Sequence, residues 1–186
     1  LPVEPHGAAS QPLTAAGTDE GGIAMESQPK RLNRDVHRGH KSNAAEAQLV
    51  AQLIQALAAL CRQNGQKPDW EKRVGIIVPF RNQIALIRKE MARLDIPAYA
   101  EINIDTVERY QGSQRDIIIF STTVSTPYEL SILSAPVRMD DGLIDRKLNV
   151  AITRARKQFF LVGNPTLLSQ SEPYRQLIQS FSESQS

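Results

Sequence analysis

From Asn43 onward, apolar positions along the chain alternate between helical spacing and short continuous runs. Leu49, Val50, Leu53, Ile54, Leu57 and Leu60 recur at the spacing that lines one face of a helix. Asn43 is placed to cap that helix, with Glu46 three residues on in the capping-box arrangement. Gly65 and Pro68 end it. Val74-Gly-Ile-Ile-Val78 is then continuously apolar, the pattern of a strand covered on both faces of a parallel sheet. Pro79 closes that strand. A second helix is predicted from Arg81, with Ile84, Ile87, Met91 and Leu94 on its buried stripe and Pro97 as its end.

Ala98 to Ile104 alternates apolar and polar positions, predicting a half-buried strand, and Asp116–Ser121 reads as another fully buried one. Thr126 to Asp141 carries two prolines and an acidic pair, and is read as irregular. Leu148 to Arg156 predicts a helix with a polar face bearing Asn149, Thr153, Arg154 and Arg156, followed by a strand over Gln158–Val162. Short helices are expected around Thr166–Ser169 and Tyr174–Phe181. Strands alternating with helices, the strands themselves not alternating, indicate an α/β fold: a mainly parallel sheet with helices on both sides. Ligands of such sheets bind beyond the carboxyl ends of the strands. That rule directs attention to Pro79-Phe80-Arg81, Thr106–Gln114 and Ser121–Thr126.

The chain has 186 residues, 41% hydrophobic and 23% charged, which suits one globular domain with a loose flank. Residues 1–41 form a poorly ordered lead-in rich in Pro, Gly, Ala, Ser and Thr, with a short strand near 23–26. The domain is assigned to 42–182 and a tail to 183–186. Opening on Leu1, the chain is read as a fragment of a longer one. No apolar run is seen to approach the roughly 20 residues that cross a bilayer, and no signal peptide is visible, so no membrane partner is expected. One cysteine, Cys61, excludes an internal disulfide framework and suits a reducing, cytoplasmic setting; it is read as a small core residue. A net charge of +2 is too small to argue for nucleic acid unless the cations cluster.

Lys30 to Lys41 gathers five Lys and Arg around His37 and His40; a solvated loop is the simpler reading, and no metal-ligand set is completed. The arginines of Leu148–Arg156 are evenly balanced, on chemistry alone, between a solvated face and a phosphate contact. In the polar turn Thr106–Asp116, Gly112 permits close backbone approach, while Gln111 and Gln114 both donate and accept hydrogen bonds. A catalytic triad is not supported, because no histidine follows His40. No Gly-x-x-x-x-Gly-Lys-Ser/Thr occurs, so the chain has no phosphate-cradling loop of its own. Asp19-Glu20 does not follow an apolar strand and is rejected as a magnesium pair.

Taken together, VGIIVPFRNQ (74–83), TVERYQGSQRDIIIFS (106–121) and LNVAITRARKQFFLVGN (148–164) resemble motifs IV, V and VI of superfamily 1 helicases. Ser42-Asn-Ala-Ala-Glu-Ala47 resembles that family's S-x-N-x-x-E-A approach to the same domain. The branch most similar contains the helicase of nonsense-mediated decay and the replication helicase-nuclease. The likeness runs from Ser42 to about Phe181.

The resemblance implies a RecA-like, three-layer second motor domain, in a family that couples ATP hydrolysis to movement along single-stranded nucleic acid. ATP and Mg2+ would lie between this domain and a preceding RecA-like domain of the same chain, which supplies the phosphate loop, magnesium ligands and catalytic base. Arg154 then matches the arginine finger. Gln114, where the family often has Glu, is matched with Gly112 and Arg81 to nucleotide binding. Pro79, Thr106, Tyr110 and Gln111 are matched to the nucleic-acid track or the coupling path; no metal ligand is expected in this chain. DNA is favoured over RNA as the polymer, with 5′ to 3′ polarity. The fragment alone is expected to be inactive. The competing reading is a RecA-like module that docks nucleic acid or protein without ATPase activity.

Overall fold

A computed structural model describes residues 42–110, 113–139 and 142–183. The lead-in with its expected strand near 23–26, the Lys30–Lys41 cluster, the Asp140-Asp141 pair and residues 184–186 lie outside the described residues.

Helix α1 spans Ala44–Gln63. A single turn α2 (Trp70–Arg73) leads into β1 (Val74–Val78), and α3 (Arg81–Arg93) follows. Strand β2 is Asn103–Thr106 and β3 is Arg115–Ser121. Helix α4 (Pro127–Leu133) precedes an antiparallel hairpin of β4 (Pro136–Met139) and β5 (Gly142–Asp145). Then come α5 (Arg146–Thr153), β6 (Ala155–Val162), α6 (Pro165–Leu168) and α7 (Glu172–Glu183). The main sheet has the order β2-β1-β3-β6, with every neighbouring pair parallel.

Alternate residues of each strand go to opposite layers. Val74, Ile76, Val78 and Ile119 pack with α1, α3 and the buried Trp70. Ile77, Ile118 and Phe120 pack with Leu130, Leu148, Ala151, Leu168 and Tyr174 from α4 to α7. The continuous apolar runs of β1 and β3 thus have a physical cause: both faces are covered, giving the three-layer α/β fold of a RecA-like domain.

Five sequence expectations need correction. The buried stripe of α1 is Ala47, Val50, Ala51, Ile54 and Ala58, while Leu49 and Leu60 are each 53% exposed. The alanines win that face because small side chains permit close approach to α3 and the sheet. Helix α1 is also long and apolar enough, by length and composition, to cross a membrane. One face of it, with Val50, Ile54 and three alanines, lies in the core.

Ala98–Ile104 is not one strand. Ala98 takes a left-handed φ of 54°, and Tyr99–Glu101 makes a 3-10 turn before β2. The Trp70 indole N–H pins this bend by donating to Pro97 O at 2.8 Å.

Nor is Thr126–Asp141 irregular. Thr126 and Glu129 form a reciprocal capping box, with Pro127 in the first turn. The signature Thr-Pro-Tyr-Glu stands in the sequence. Finally, α5 stops at Thr153, and β6 begins three residues before its expected start, so Arg156 sits in a strand. Cys61 is half-buried rather than fully in the core.

Candidate functional site

Because all four strands run parallel, their starts share one edge of the sheet and their ends share the other. The two edges are separated by about 15 Å for a five-residue strand at the usual rise. The predicted site residues divide between them.

Arg154 and Gln114 lie on the starting edge, opposite to where the strand-end rule pointed. Arg115 opens β3 and pairs with Ala155, the first residue of β6. That register brings the turn before β3 against the end of α5. Arg154 O accepts from Arg115 N at 2.9 Å, and Thr153 O accepts from Gln114 Nε2 at 3.2 Å. Gln114 O in turn accepts from Arg115 Nη1 at 2.9 Å and Arg156 Nη2 at 3.1 Å.

The Arg154 side chain is half-buried, and its Nε is buried with no hydrogen-bond partner. Arg115 Nε is in the same condition. Arg115, Arg156, Lys72 and Glu71 line an open cleft of about 250 Å³ on this edge. Asp116 answers part of the charge, with Lys157 Nζ at 2.9 Å and Arg156 Nη1 at 3.9 Å. The hydrogen bond from Lys157 holds the Asp116 carboxyl below its usual range, and the charges of Arg156 and Arg73 add to this. A surplus of arginine on a packed edge, with buried donors left over, is the donor set of an anion site.

The strand-end edge holds Pro79, Arg81 and Thr106. Arg81 is exposed on the first turn of α3, so it does not join Arg154 around one phosphate. Pro79 is buried, Thr106 is 7% exposed and Tyr110 is 1% exposed. The side chains of all three are thus enclosed in the domain. Tyr110 lies across Gly75 of β1, where a Cβ would meet the phenol ring and hydroxyl. Burial pushes the Tyr110 hydroxyl upward in pKa. Gln111 and Gly112 lie outside the described residues.

Sequence reasoning missed the buried polar cluster at this edge. Asn43 caps α1 by accepting from Glu46 N at 3.1 Å, as expected. The Glu46 carboxylate, however, does not return to the Asn43 backbone N–H, although its Oε1 accepts from Asn43 Nδ2 at 3.2 Å. It accepts from Ser121 Oγ and Thr123 N, both at 2.8 Å. Gln83 takes its place, accepting from Asn43 N at 2.7 Å and donating to Asn43 O at 3.0 Å and Ser121 Oγ at 3.2 Å. Burial raises the Glu46 pKa, opposed by the bonds from Thr123 and Ser121. The Ser42–Ala47 and Val74–Gln83 segments were the available signal for this cluster. Asp145, a second buried carboxylate, is 3% exposed and accepts from Leu148 N at 2.8 Å and Ala135 N at 3.1 Å.

Known proteins share this arrangement of segments. A family model described as an AAA domain matches residues 10–166. "Probable RNA helicase armi" of Drosophila melanogaster is 37% identical over 108 residues, 57% of this chain and 9% of that protein. "Regulator of nonsense transcripts 1 homolog" of Arabidopsis thaliana is 32% identical over 145 residues, 76% of this chain and 10% of that protein. "DNA replication ATP-dependent helicase/nuclease DNA2" of Bos taurus is 32% identical over 149 residues, 77% of this chain and 12% of that protein. The chain belongs to this family and is a superfamily 1 helicase domain. It spans about a tenth of the length of these curated relatives.

Proposed function

We propose that this domain is the second motor domain of an ATP-driven helicase or translocase on single-stranded nucleic acid, with Arg154 as the arginine finger. The observation that carries the reading is the buried, unpartnered Nε of Arg154 on an edge shared with Arg115 and Arg156. Such an edge fits a polyphosphate: arginines outnumber the carboxylates Asp116 and Glu71 there, and Asp116 is already answered by Lys157. Among the described residues there is no group of three or more His, Cys, Asp or Glu placed to hold a metal ion. On the family resemblance, the magnesium ligands and phosphate loop are assigned to a preceding RecA-like domain.

ATP with Mg2+, when bound between the two domains, supplies the anhydride whose cleavage drives movement. The residues of this chain do the rest by position and charge. Arg154 presents a guanidinium where negative charge develops on the transferred phosphoryl group. Arg115 and Arg156 raise the local positive potential. Arg81, exposed on the other edge, is placed on the nucleic-acid side, and Tyr110 and Thr106 link the two edges through packing. The expected preference for DNA finds no support in the described residues, and the relatives' names include both polymers. An intracellular setting follows from the same reading.

In the full-length protein, Arg154→Ala is expected to lower ATP turnover by about 10³-fold or more. Near-normal turnover in that variant would sink the assignment. The purified 186-residue chain should hydrolyse almost no ATP by itself, since half of the site is elsewhere. A parent that binds nucleic acid but shows no Arg154-dependent turnover would instead mark a docking module.

A further inference from the structure

Helix α5 has eight residues, and Arg154 is its C-cap. A helix this short leaves its terminal carbonyls without partners inside the helix, and little of its own length restrains its last turn. Its start is held by the buried Asp145 carboxylate. Its end is held from the turn before β3. There the Gln114 carboxamide donates to Thr153 O at 3.2 Å, and the Arg115 amide donates to Arg154 O at 2.9 Å. The Gln114 carbonyl is meanwhile gripped by Arg115 and Arg156. The Gln114 side chain is thus tied to the residue directly before Arg154, and its main chain is tied to the strand directly after it.

We propose that Gln114 is a positioning residue for Arg154, its carboxamide N–H latching the turn that carries the arginine. The chemistry requires a donor. An ionised glutamate has acceptor oxygens only and would meet the Thr153 carbonyl as a second acceptor. This domain has Gln where the resembled motif often has Glu. The carboxamide supplies the N–H that a glutamate there would lack. Gln114 is exposed, so its replacement leaves the core intact. The inference rests on the arginine-finger reading above.

The test is a pair of mutant cycles in the full-length protein, read as kcat and KM for ATP in single- and multiple-turnover assays. Gln114→Glu and Gln114→Met both remove the donor and keep the length. Each is expected to lower kcat by about five- to tenfold, the scale of one lost hydrogen bond, with KM changed less than about twofold. In the Arg154→Ala background neither should lower turnover further, because there is no longer an arginine to position. A Gln114→Glu variant with unchanged kcat would overturn the latch. So would a raised KM at constant kcat, which would assign Gln114 to nucleotide contact, or a loss that repeats in full without Arg154. Normal turnover in Arg154→Ala alone would instead remove the arginine-finger reading itself. Collapse of Arg154→Ala with harmless Gln114 variants would sink only the latch.

Discussion

At the scale of single residues, the most constrained side chain is Glu46, a carboxylate enclosed by Ser121, Thr122 and Thr123, all fully buried. Burial outweighs those bonds and lifts its pKa above the ordinary 4.5. A raised folded-state value means the native protein retains a proton that the unfolded chain has lost. Stability from this group is thus complete below pH 4.5 and declines as pH rises through the folded value. Glu46→Gln does not titrate. Its unfolding free energy relative to wild type should therefore grow between about pH 4.5 and pH 7. Denaturant titrations giving a flat or shrinking difference would contradict the burial argument.

Gly75 is equally specific, for a steric reason. A Cβ there meets the Tyr110 ring at 2.8 Å as well as its hydroxyl. Gly75→Ala should cost about 2 kcal/mol through overpacking, and less when combined with Tyr110→Phe. An equal cost in both backgrounds, measured by chemical denaturation, would show that the ring is not the obstacle. Neither residue could be read from the sequence. Gly75 looked like one more member of an apolar run, and Tyr110 was matched only to the nucleic-acid track or the coupling path.

At the scale of elements, the buried strands β1 and β3 were legible because both faces demand apolar side chains, which leaves an unambiguous run. Helix boundaries were legible where local chemistry decides them, as at Asn43. They were misread where a short element gains its stability from elsewhere. Helix α5 is the clearest case, since its eight residues depend on Asp145 at one end and Gln114 at the other. Asp145→Ala should cost about 1–2 kcal/mol as a lost cap, and more through the unpaired Ala135 amide. Asp145→Asn, which keeps an acceptor oxygen, should cost less in a thermal melt. Equal losses for the two would assign Asp145 to charge rather than capping.

At the scale of the whole molecule, the site residues fall on two opposite edges of one sheet, and this division yields a separable expectation. Nucleic-acid binding by the full-length protein should weaken as salt rises, because backbone phosphates release counterions. Arg81→Ala should weaken binding and reduce the salt slope by about one. Arg154→Ala, measured without nucleotide, should leave both unchanged. A reversal, with Arg154 controlling the salt slope, would exchange the roles of the edges.

The sequence by itself determined the α/β class, the order of the four strands of the main sheet and, through ordered segments, membership of the superfamily 1 helicases. Those properties follow from periodicity and short-range chemistry, which a chain carries along its length. It also singled out Arg154 within Leu148–Arg156, though that arginine's surroundings were open between solvent and phosphate. Only the tertiary structure decided which edge Arg154 occupies, that Arg81 is on the other, and that Pro79, Thr106 and Tyr110 are buried. It also brought Gln114 to the end of α5, across 39 residues of chain. The physical reason is that a parallel sheet returns every crossover to the same starting edge. Residues far apart in sequence therefore become neighbours through strand register, which leaves no trace in local pattern.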